Sequence, residues 1–274
     1  MNHVHEHDQT EILDLDAEVL AEHLASIVAW LPIETSPRHI VDLGCGTGAG
    51  TLALLDRFPG AEVTAVDLSA AHLQRLQEKA GDRVRIVQAD LDAAEWPELG
   101  TPELVWASAS MHHVADPERT LRQVHDLLAP DGLFAVVELA GFPRFLPADA
   151  PEDAPGLEER CHAALDHHLP HRGADWGTKL AKAGFTVEAK RTITADIGPT
   201  DAAGRYALSS LRRLRGRVAS ALTAEDLTAL ERLLDTDGPQ SILHRADLGV
   251  RTERTVWAGR RSGLLESPVQ QPVA

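Results

Sequence analysis

Apolar positions along the chain follow two alternating patterns, one typical of helices and one typical of strands. Over residues 15–31 they recur at intervals of three and four residues, which predicts an amphipathic helix. From residue 38 to residue 139, short apolar runs of strand length alternate with segments of helical spacing. Strands that alternate with helices in this way are typical of βαβ units, so this stretch predicts an α/β fold with a parallel sheet.

The predicted strands are short apolar runs that turn residues separate. They cover residues 39–43, 62–66, 84–87, 104–107, 133–139, 186–193 and 251–259. Ser69, Asp116 and Thr223 are suited to begin helices, because their side-chain oxygens accept N–H groups of the first turn. Helices are predicted over 49–57, from Ser69 to Gly81, from Asp116 to the turn at 130–132, near 155–168, ending within 179–185, and over 202–220 and 224–235.

The regular alternation stops after residue 139. Residues 141–175 hold five prolines and four histidines, and residues 200–247 place two predicted helices between the last two strands. We therefore expect a single domain over residues 1–274. Its doubly wound core would comprise residues 38–139 and 176–260, and a helical cap would comprise residues 10–32, 141–175 and 200–247.

Composition and charge restrict the class of protein and its partners. The 274 residues are 43% hydrophobic and 25% charged, as in soluble globular proteins, and no apolar stretch is long enough to span a bilayer. The formal net charge of −16 disfavours a nucleic-acid partner. The first residues lack the apolar core of a signal peptide and the chain has two cysteines, so we expect a cytoplasmic protein without a disulfide framework.

Two basic features are candidates for binding an acidic ligand. The densest basic run covers residues 211–217, within a predicted helix. We interpret it as a solvated helix face, with contact to an acidic ligand as the alternative. Arg245, at the end of the segment SILHR, is a candidate for pairing with an acidic substrate, and an ordinary surface arginine is the alternative.

A glycine-rich turn follows the first strand of the alternating region. It reads VDLGCGTG over residues 41–48 and leads from the strand into a helix. Glycines permit positive φ and close approach of a ligand, and the helix N-terminus behind them offers unpaired N–H groups. Asp67 ends the second strand, where a carboxylate accepts both hydroxyls of a ribose. Together they predict a site for a nucleoside-containing cofactor.

The turn alone fits two cofactor classes. Residues 44–49 match the G-x-G-x-x-G/A pattern of dinucleotide-binding proteins, and residues 42–48 resemble the D-x-G-x-G-x-G turn of class I S-adenosylmethionine-dependent methyltransferases. Further segments favour the second class. LVWASASMHHVADP resembles the fourth strand and HHV-x-D-P stretch of these enzymes, LAPDG their L-x-P-G-G turn, and AGF the A-G-F before their sixth strand. Over about residues 38–139 and 178–193, the chain therefore resembles small-molecule methyltransferases of the ubiquinone and menaquinone biosynthesis type.

The resemblance implies a sheet of seven strands with the last one antiparallel, and S-adenosylmethionine as the cofactor. It assigns the methionine moiety to Asp42 and residues 44–48, the ribose to Asp67, and the adenine to Leu68, Asp90 and Leu91. The implied cofactor-binding set is Asp42, Gly44, Cys45, Gly46, Gly48, Asp67, Leu68, Asp90, Leu91 and Ser108. Two departures from the family pattern, Glu103 in place of aspartate and Asp131 in place of glycine, are mild.

Histidines supply the candidate catalytic groups. His112 and His113 follow the fourth strand, at the edge where open α/β sheets bind ligands, and a neutral imidazole is a suitable general base. A ring that only bonds the backbone is the alternative. Met111 and His168 are candidate substrate contacts. The segment with Cys161 and four histidines fits no paired metal-ligand spacing, so we predict no metal site.

These observations predict an enzyme that transfers a methyl group from S-adenosylmethionine to an oxygen or nitrogen atom of a small-molecule metabolite, a specialised metabolite being one option. One alternative is an S-adenosylmethionine-binding protein with a regulatory or cyclase-like role. A nicotinamide-dependent oxidoreductase is the weaker alternative. The expected partner is a small molecule rather than nucleic acid or a membrane, and a homodimer is left open.

Overall fold

The computed structural model describes residues 2–165 and 171–261, with side chains from residue 9 onward. Helices and strands alternate in it as the apolar pattern predicts. The helices are α1 (Asn2–Val19), α2 (Ala21–Trp30), α3 (Ala49–Arg57), α4 (Ala70–Ala80), α5 (Pro117–Leu127), α6 (Leu157–Leu165), α7 (Trp176–Lys182), α8 (Asp201–Val218) and α9 (Ala224–Leu234). The strands are β1 (His39–Leu43), β2 (Glu62–Asp67), β3 (Val84–Gln88), β4 (Leu104–Ser108), β5 (Leu133–Leu139), β6 (Phe185–Ile197) and β7 (Val250–Arg261).

The strands form one sheet in the order β3-β2-β1-β4-β5-β7-β6. Strands β1 to β5 pair in parallel, whereas β7 is antiparallel to both β5 and β6. The chain runs outward from β1 to β3 and then crosses to β4 on the other side of β1. This reversal leaves a crevice between the carboxyl ends of β1 and β4, where open α/β sheets bind ligands. The mostly parallel sheet with an antiparallel last strand is confirmed.

Apolar side chains cover both faces of the sheet. Successive residues of a strand point to opposite faces, so the buried Ile40 and Val41 of β1 belong to separate clusters. Helices α2, α3 and α4 close the first face, and α5 and α7 close the second. A third cluster joins α1, α6, α8 and α9 to one another. Across the described residues, no helix has both the length and the apolar composition that a membrane span requires.

Three predicted helix caps are present. The side chains of Ser69, Asp116 and Thr223 accept hydrogen bonds from the N–H groups of His72, Arg119 and Asp226, in that order. Such caps each stabilise a helix by roughly 1 kcal/mol. They fix where α4, α5 and α9 begin, and the sequence-based starts of these helices agree with the structure.

The single helix predicted over residues 15–31 is wrong, because this segment forms two helices. Leu20, with φ −104° and ψ 18°, separates the end of α1 from the start of α2. Helix α1 contacts α8, whereas α2 packs on α3. The break lets one amphipathic segment cover two parts of the molecule, and apolar periodicity alone does not reveal such a change of neighbours.

Candidate functional site

A cavity of about 1650 Å³ lies at the carboxyl ends of β1, β2 and β4. The turns that follow β1, β2 and β3 form one wall, and α1 and α8 form the opposite wall. Pockets for a small molecule usually measure about 300–1,000 Å³. The cavity therefore has room for a cofactor and a second molecule at the crevice that the strand order creates.

The glycine-rich turn forms the base of this cavity. Gly44, Gly46 and Gly48 have φ values of 69°, 53° and 95°, in the region that favours glycine. A Cβ atom on Gly44 would lie 2.4 Å from the Cβ of Ser110. The Ser110 hydroxyl in turn donates to the carbonyl of Leu43 at 2.8 Å, which fixes its position. Both the backbone and the available space therefore restrict position 44 to glycine.

The carboxylate of Asp67 joins this turn to α4. Its Oδ2 accepts the N–H of Gly46 at 2.8 Å, and its Oδ1 accepts the N–H of Ser69 at 2.8 Å. Burial alone would raise the pKa of Asp67, but His72 and the two backbone N–H groups outweigh it and lower the pKa below its ordinary value. Asp67 is therefore a fixed anion on the cavity wall. Each oxygen keeps a further lone pair for a hydroxyl group.

An exposed leucine follows Asp67. Leu68 is 63% exposed and lines the cavity. Asp90 and Leu91, after β3, line the same wall, and Asp90 is oriented by accepting the N–H of Asp92 at 2.9 Å. Apolar surface beside polar groups suits a planar heterocycle, whose faces are apolar and whose edge is polar. The structure brings these residues together, as the resemblance implies.

Asp42 is a buried acid at the end of β1. It accepts a hydrogen bond from the Thr51 hydroxyl at 2.6 Å. Burial raises the pKa of Asp42 to about 7, the Thr51 bond opposes the rise, and the nearby Asp67 carboxylate adds to it. The buried Nε1 of Trp106 has no hydrogen-bond partner in the described part of the chain, and both residues line the cavity. A cationic group bound here would favour the ionised form of Asp42.

His112, which follows β4 and lines the cavity, forms a buried pair with Glu138. The pair joins the short 3₁₀ turn Met111–His113, after β4, to β5. His112 Nδ1 lies 2.6 Å from Oε2 of Glu138, and the His112 N–H donates to Oε1 at 3.2 Å. His112 is 7% exposed and lines the cavity, and Glu138 is 4% exposed. A carboxylate at Nδ1 favours the tautomer with its proton there, which leaves Nε2 as a proton acceptor.

The sequence-based reasoning missed Glu138. It is the one acid in the strand LFAVVEL, residues 133–139. An isolated carboxylate in a buried strand is costly unless it is hydrogen-bonded, so this pattern itself indicates a partner. Strand β5 pairs with β4, whose end leads into His112. The signal was therefore present in the sequence.

His113 stacks beside His112, with ring centroids 4.1 Å apart. Burial first, and then the neighbouring His112 ring and the charges of Arg213 and Arg217, lower the pKa of His113 to about 4. His113 is therefore neutral at ordinary pH. The two arginines belong to α8, so their charge acts across the cavity on the histidine pair.

Buried charges join α1 and α8 beside the cavity. Arg254 of β7 donates to the two carboxylate oxygens of Asp16 at 3.1 and 2.8 Å, and Tyr206 of α8 donates to the same group at 2.7 Å. Burial alone would lower the pKa of Arg254, but the Asp16 carboxylate outweighs the effect of burial and raises this pKa. All three residues line the cavity. One carboxylate thus ties α1 to both β7 and α8.

The other predicted site residues are scattered. Cys45 and Ser108 line the cavity, and burial raises the pKa of Cys45, as expected for a packing residue rather than a nucleophile. Met111 is fully buried in the cluster beneath α5. Arg245 lines a separate cavity of about 220 Å³ and donates to Asp247 at 2.8 and 2.7 Å. His168 lies outside the described residues.

Acid is expected to destabilise the protein partly through His162 of α6. Burial, together with Arg144 and Arg172, lowers the pKa of His162 to about 3. In the unfolded chain a histidine has a pKa near 6.5, so below that pH the unfolded state binds more protons than the folded state. The contribution of neutral His162 to the free energy of unfolding is therefore full above about pH 6.5 and is lost as the pH falls toward 3. Urea unfolding between pH 7 and 4 should show a smaller loss of stability in His162→Gln than in the wild type.

The exposed His244 provides the control for this prediction. His244→Gln should keep the wild-type dependence of unfolding free energy on pH. Identical pH dependence in His162→Gln and the wild type would contradict the role given to His162.

Among the described residues, no group of three or more histidine, cysteine or acidic side chains is arranged to hold a metal ion.

Comparison with known proteins links this geometry to one class of enzyme. The sequence profile of the family described as "Methyltransferase domain" matches residues 41–134. A trans-aconitate 2-methyltransferase of Paracidovorax citrulli is 41% identical over 111 residues, which are 40% of this chain and 42% of that protein. A malonyl-[acyl-carrier protein] O-methyltransferase of Halorhodospira halophila is 36% identical over 161 residues, which are 56% and 50% of the two chains. The chain thus spans about half or less of these relatives' lengths.

Solved structures show the same fold over most of the chain. A Bacillus halodurans protein provisionally assigned as a methyltransferase superposes with a TM-score of 0.56 at 17% identity, covering 88% of this chain and 99% of that one. A [4+2]-cyclase, SpnF, gives a TM-score of 0.55 at 18% identity, covering 89% and 82%. At such identity these likenesses establish the fold alone. The family match and the curated relatives confirm the resemblance seen in the sequence motifs: residues 41–134 match the sequence profile of a methyltransferase domain, and these relatives are named as methyltransferases.

Proposed function

We propose that the protein transfers the methyl group of S-adenosylmethionine to an oxygen or nitrogen atom of a small-molecule acceptor. The observation that carries this proposal is the arrangement of the large cavity. The glycine turn, the fixed anion Asp67 and His112 all border the cavity, and Ser110 joins the turn to the segment that carries His112. A cofactor bound over the turn would place its reactive group near His112.

The residues present fit this cofactor. Gly44 and Gly46 hold the turn at the cavity base in a conformation that favours glycine, and Leu68 offers apolar surface for an adenine face. Asp67 has lone pairs for ribose hydroxyls, and the buried Nε1 of Trp106 is a donor in need of a partner. When bound, S-adenosylmethionine supplies a methyl group on a sulfonium, which is already a strong electrophile. The residues that would hold it are Asp42, Gly44, Cys45, Gly46, Gly48, Asp67, Leu68, Asp90, Leu91 and Ser108.

Two tasks then remain for the side chains around the acceptor. The first is alignment, which by itself lowers a bimolecular barrier by several kcal/mol, up to roughly 7–11 kcal/mol. The second is removal of a proton when the acceptor atom carries one. His112 is placed for the second task, because Glu138 holds Nδ1 and leaves Nε2 to accept the proton. His113 is the other catalytic candidate, and its low pKa makes it the weaker base.

The helical cap belongs to the same proposal. Helices α1, α6, α8 and α9 share an apolar cluster of their own, and α1 and α8 line the cavity. Within the predicted cap of residues 10–32, 141–175 and 200–247, we assign to α1 and α8 the role of covering the acceptor and excluding water, whereas α2 packs on the sheet. The core over residues 38–139 and 176–260 would bind the cofactor within the same domain. Transfer in a covered site strengthens every electrostatic contact with the acceptor.

The second candidate function is that of a protein that binds the cofactor without transferring its methyl group. The fold does not separate the two, since a [4+2]-cyclase shares it. The relatives matched by sequence are named as methyltransferases, which favours transfer and gives no support to nicotinamide chemistry. The buried His112–Glu138 pair adds a proton acceptor that a binding protein does not require.

Calorimetry with S-adenosylhomocysteine and, separately, with NAD⁺ tests the cofactor. Binding of the first and not of the second is expected, and the reverse result would contradict the proposal. Incubation with methyl-labelled S-adenosylmethionine and a set of small phenols, carboxylic acids and amines then tests transfer. Labelled product is expected, together with an equal amount of S-adenosylhomocysteine. Cofactor binding without product from any acceptor class would favour the binding protein.

Asp67→Ala is expected to weaken S-adenosylhomocysteine binding by at least about tenfold, since hydrogen bonds to a charged group contribute about 1.5–3 kcal/mol each. The fold should survive because Asp67 lies at a strand end. Calorimetry checks the affinity, and Asp56→Ala, at an exposed position of α3, is the matched control. Unchanged affinity in Asp67→Ala would remove the assignment of the ribose to this carboxylate.

A further inference from the structure

The cavity wall formed by α8 is basic, although the chain as a whole has a net charge of −16. Arg212, Arg213 and Arg217 of this helix line the cavity. Arg213 donates to Gln9 of α1 at 3.3 Å. Within the described part of the chain, Arg212 and Arg217 have neither a hydrogen bond nor an ion pair. The arginine run, which we interpreted from the sequence as a solvated helix face, therefore lies partly on the cavity wall.

The remaining arginines of α8 that are paired lie off this wall. Arg205 pairs with Glu18 of α1 at 3.2 Å, and Arg215 pairs with Glu231 of α9 at 2.5 Å. Neither is among the described residues that line the cavity. The same helix thus has partnered guanidinium groups outside the cavity and two without partners inside it. Arg212 and Arg217 are exposed, so their guanidinium groups are open to a ligand that enters the cavity.

Charge is distributed unequally between the two walls. Four acids, Asp42, Asp67, Asp90 and Asp92, lie on the wall assigned to the cofactor. On the opposite wall, Asp16 is already bound by Arg254 and Tyr206, and Glu11 is the other acid. After burial, the charges of Arg213 and Arg217 are among the causes that lower the pKa of His113, in line with their place on the same cavity. The acceptor end of the cavity therefore favours negative charge.

We propose that the acceptor carries a carboxylate or phosphate group that binds to Arg212, Arg213 and Arg217. This inference rests on the proposed function and adds the chemical class of the acceptor. A guanidinium presents several N–H donors in one plane and matches the oxygens of either anion. Binding an anion here would leave the rest of the acceptor between α8 and His112, and it would exclude neutral analogues of the same size.

Three probes of similar size test the proposal: 4-fluorobenzoate, 4-fluorophenyl phosphate and the neutral 4-fluorobenzyl alcohol. Fluorine NMR titrations measure the affinity of each, with and without saturating S-adenosylhomocysteine. At least one anion should bind about tenfold or more tightly than the alcohol, and the tighter anion identifies carboxylate or phosphate as the group recognised. Equal affinity for all three probes would overturn the proposal.

The double variant Arg212→Gln/Arg217→Gln should reduce the affinity for the preferred anion by at least about tenfold. The double variant Arg205→Gln/Arg215→Gln, which removes the same two charges from the same helix outside the cavity, should keep wild-type affinity. Loss in both variants, or in neither, would overturn the assignment. Calorimetry with S-adenosylhomocysteine separates the two proposals. No cofactor binding by the wild type would reject the proposed function, whereas normal cofactor binding without anion preference would reject this inference alone.

Discussion

Replacing His112 by alanine is expected to lower kcat by at least about thirtyfold, a lower bound set beneath the roughly 10²–10⁴-fold that a general base typically supplies. His112 is the imidazole that a carboxylate orients, with Nδ1 at 2.6 Å from Glu138 and Nε2 left to accept a proton. Binding of S-adenosylhomocysteine should be unchanged in this variant. Steady-state kinetics on an acceptor found by the labelling experiment, together with calorimetry, measures both effects.

The pH dependence of kcat identifies the base. If a histidine is the base, kcat should fall as the pH drops and its imidazole becomes protonated. His113 has a pKa of about 4 and would place the fall near pH 4. Glu138→Gln should lower kcat with little effect on KM, because it removes the orientation of His112 but leaves the acceptor contacts. Near-full kcat and a flat pH profile in His112→Ala would show that alignment alone drives the reaction.

Replacing Asp16 by alanine is expected to lower the free energy of unfolding by about 3 kcal/mol, at the lower end of the range for breaking a buried ion pair. The lower end applies because the Asp16 side chain is 20% exposed. The variant leaves Arg254, which is 5% exposed, with an uncompensated charge and removes the acceptor of the Tyr206 hydroxyl. Urea unfolding measures the difference.

Glu18→Ala is the matched control for this prediction. Glu18 lies on the same helix and pairs with Arg205 of α8, but both side chains are more than half exposed. Exposed pairs contribute only about 0–1 kcal/mol, so the control should be close to the wild type. Equal destabilisation by the two substitutions would show that α1 is held to α8 by charge in general. It would contradict a special role for the buried group.

The sequence predicts best those parts of the fold that local chemistry decides. Strand β5 matches its predicted range, residues 133–139, because an apolar run bounded by turn residues has few alternatives. The glycine turn is equally clear, since Gly44 is required both by its φ of 69° and by the contact with Ser110. Strand β6 is longer than predicted. Its last residues are held by pairing with β7 rather than by their own apolar pattern.

The acceptor side is harder to predict because it depends on which way a polar face points. Arg212 and Arg217 occupy a polar helix face that lines the cavity. A helix face that points to solvent and one that points into a water-filled cavity have the same polar pattern in the sequence. Met111 is adjacent to His112 in sequence, yet it points into the core while His112 points to the cavity. Such differences come from tertiary packing, which periodicity does not encode. The cofactor side was predictable because its motif is local.

The pairing of β6 with β7 has a consequence for how the acceptor site can change. Ile197 at the end of β6 is the register partner of Val250 at the start of β7, so residues 198–249 leave the sheet and return to it at one point. The cost of closing such a loop grows only with the logarithm of its length. Segments of different length and composition can therefore be exchanged between these two residues while the strands keep their register. Because the arginines proposed to bind the acceptor belong to this segment, we expect that grafting it from a relative changes the preferred acceptor while the sheet is retained.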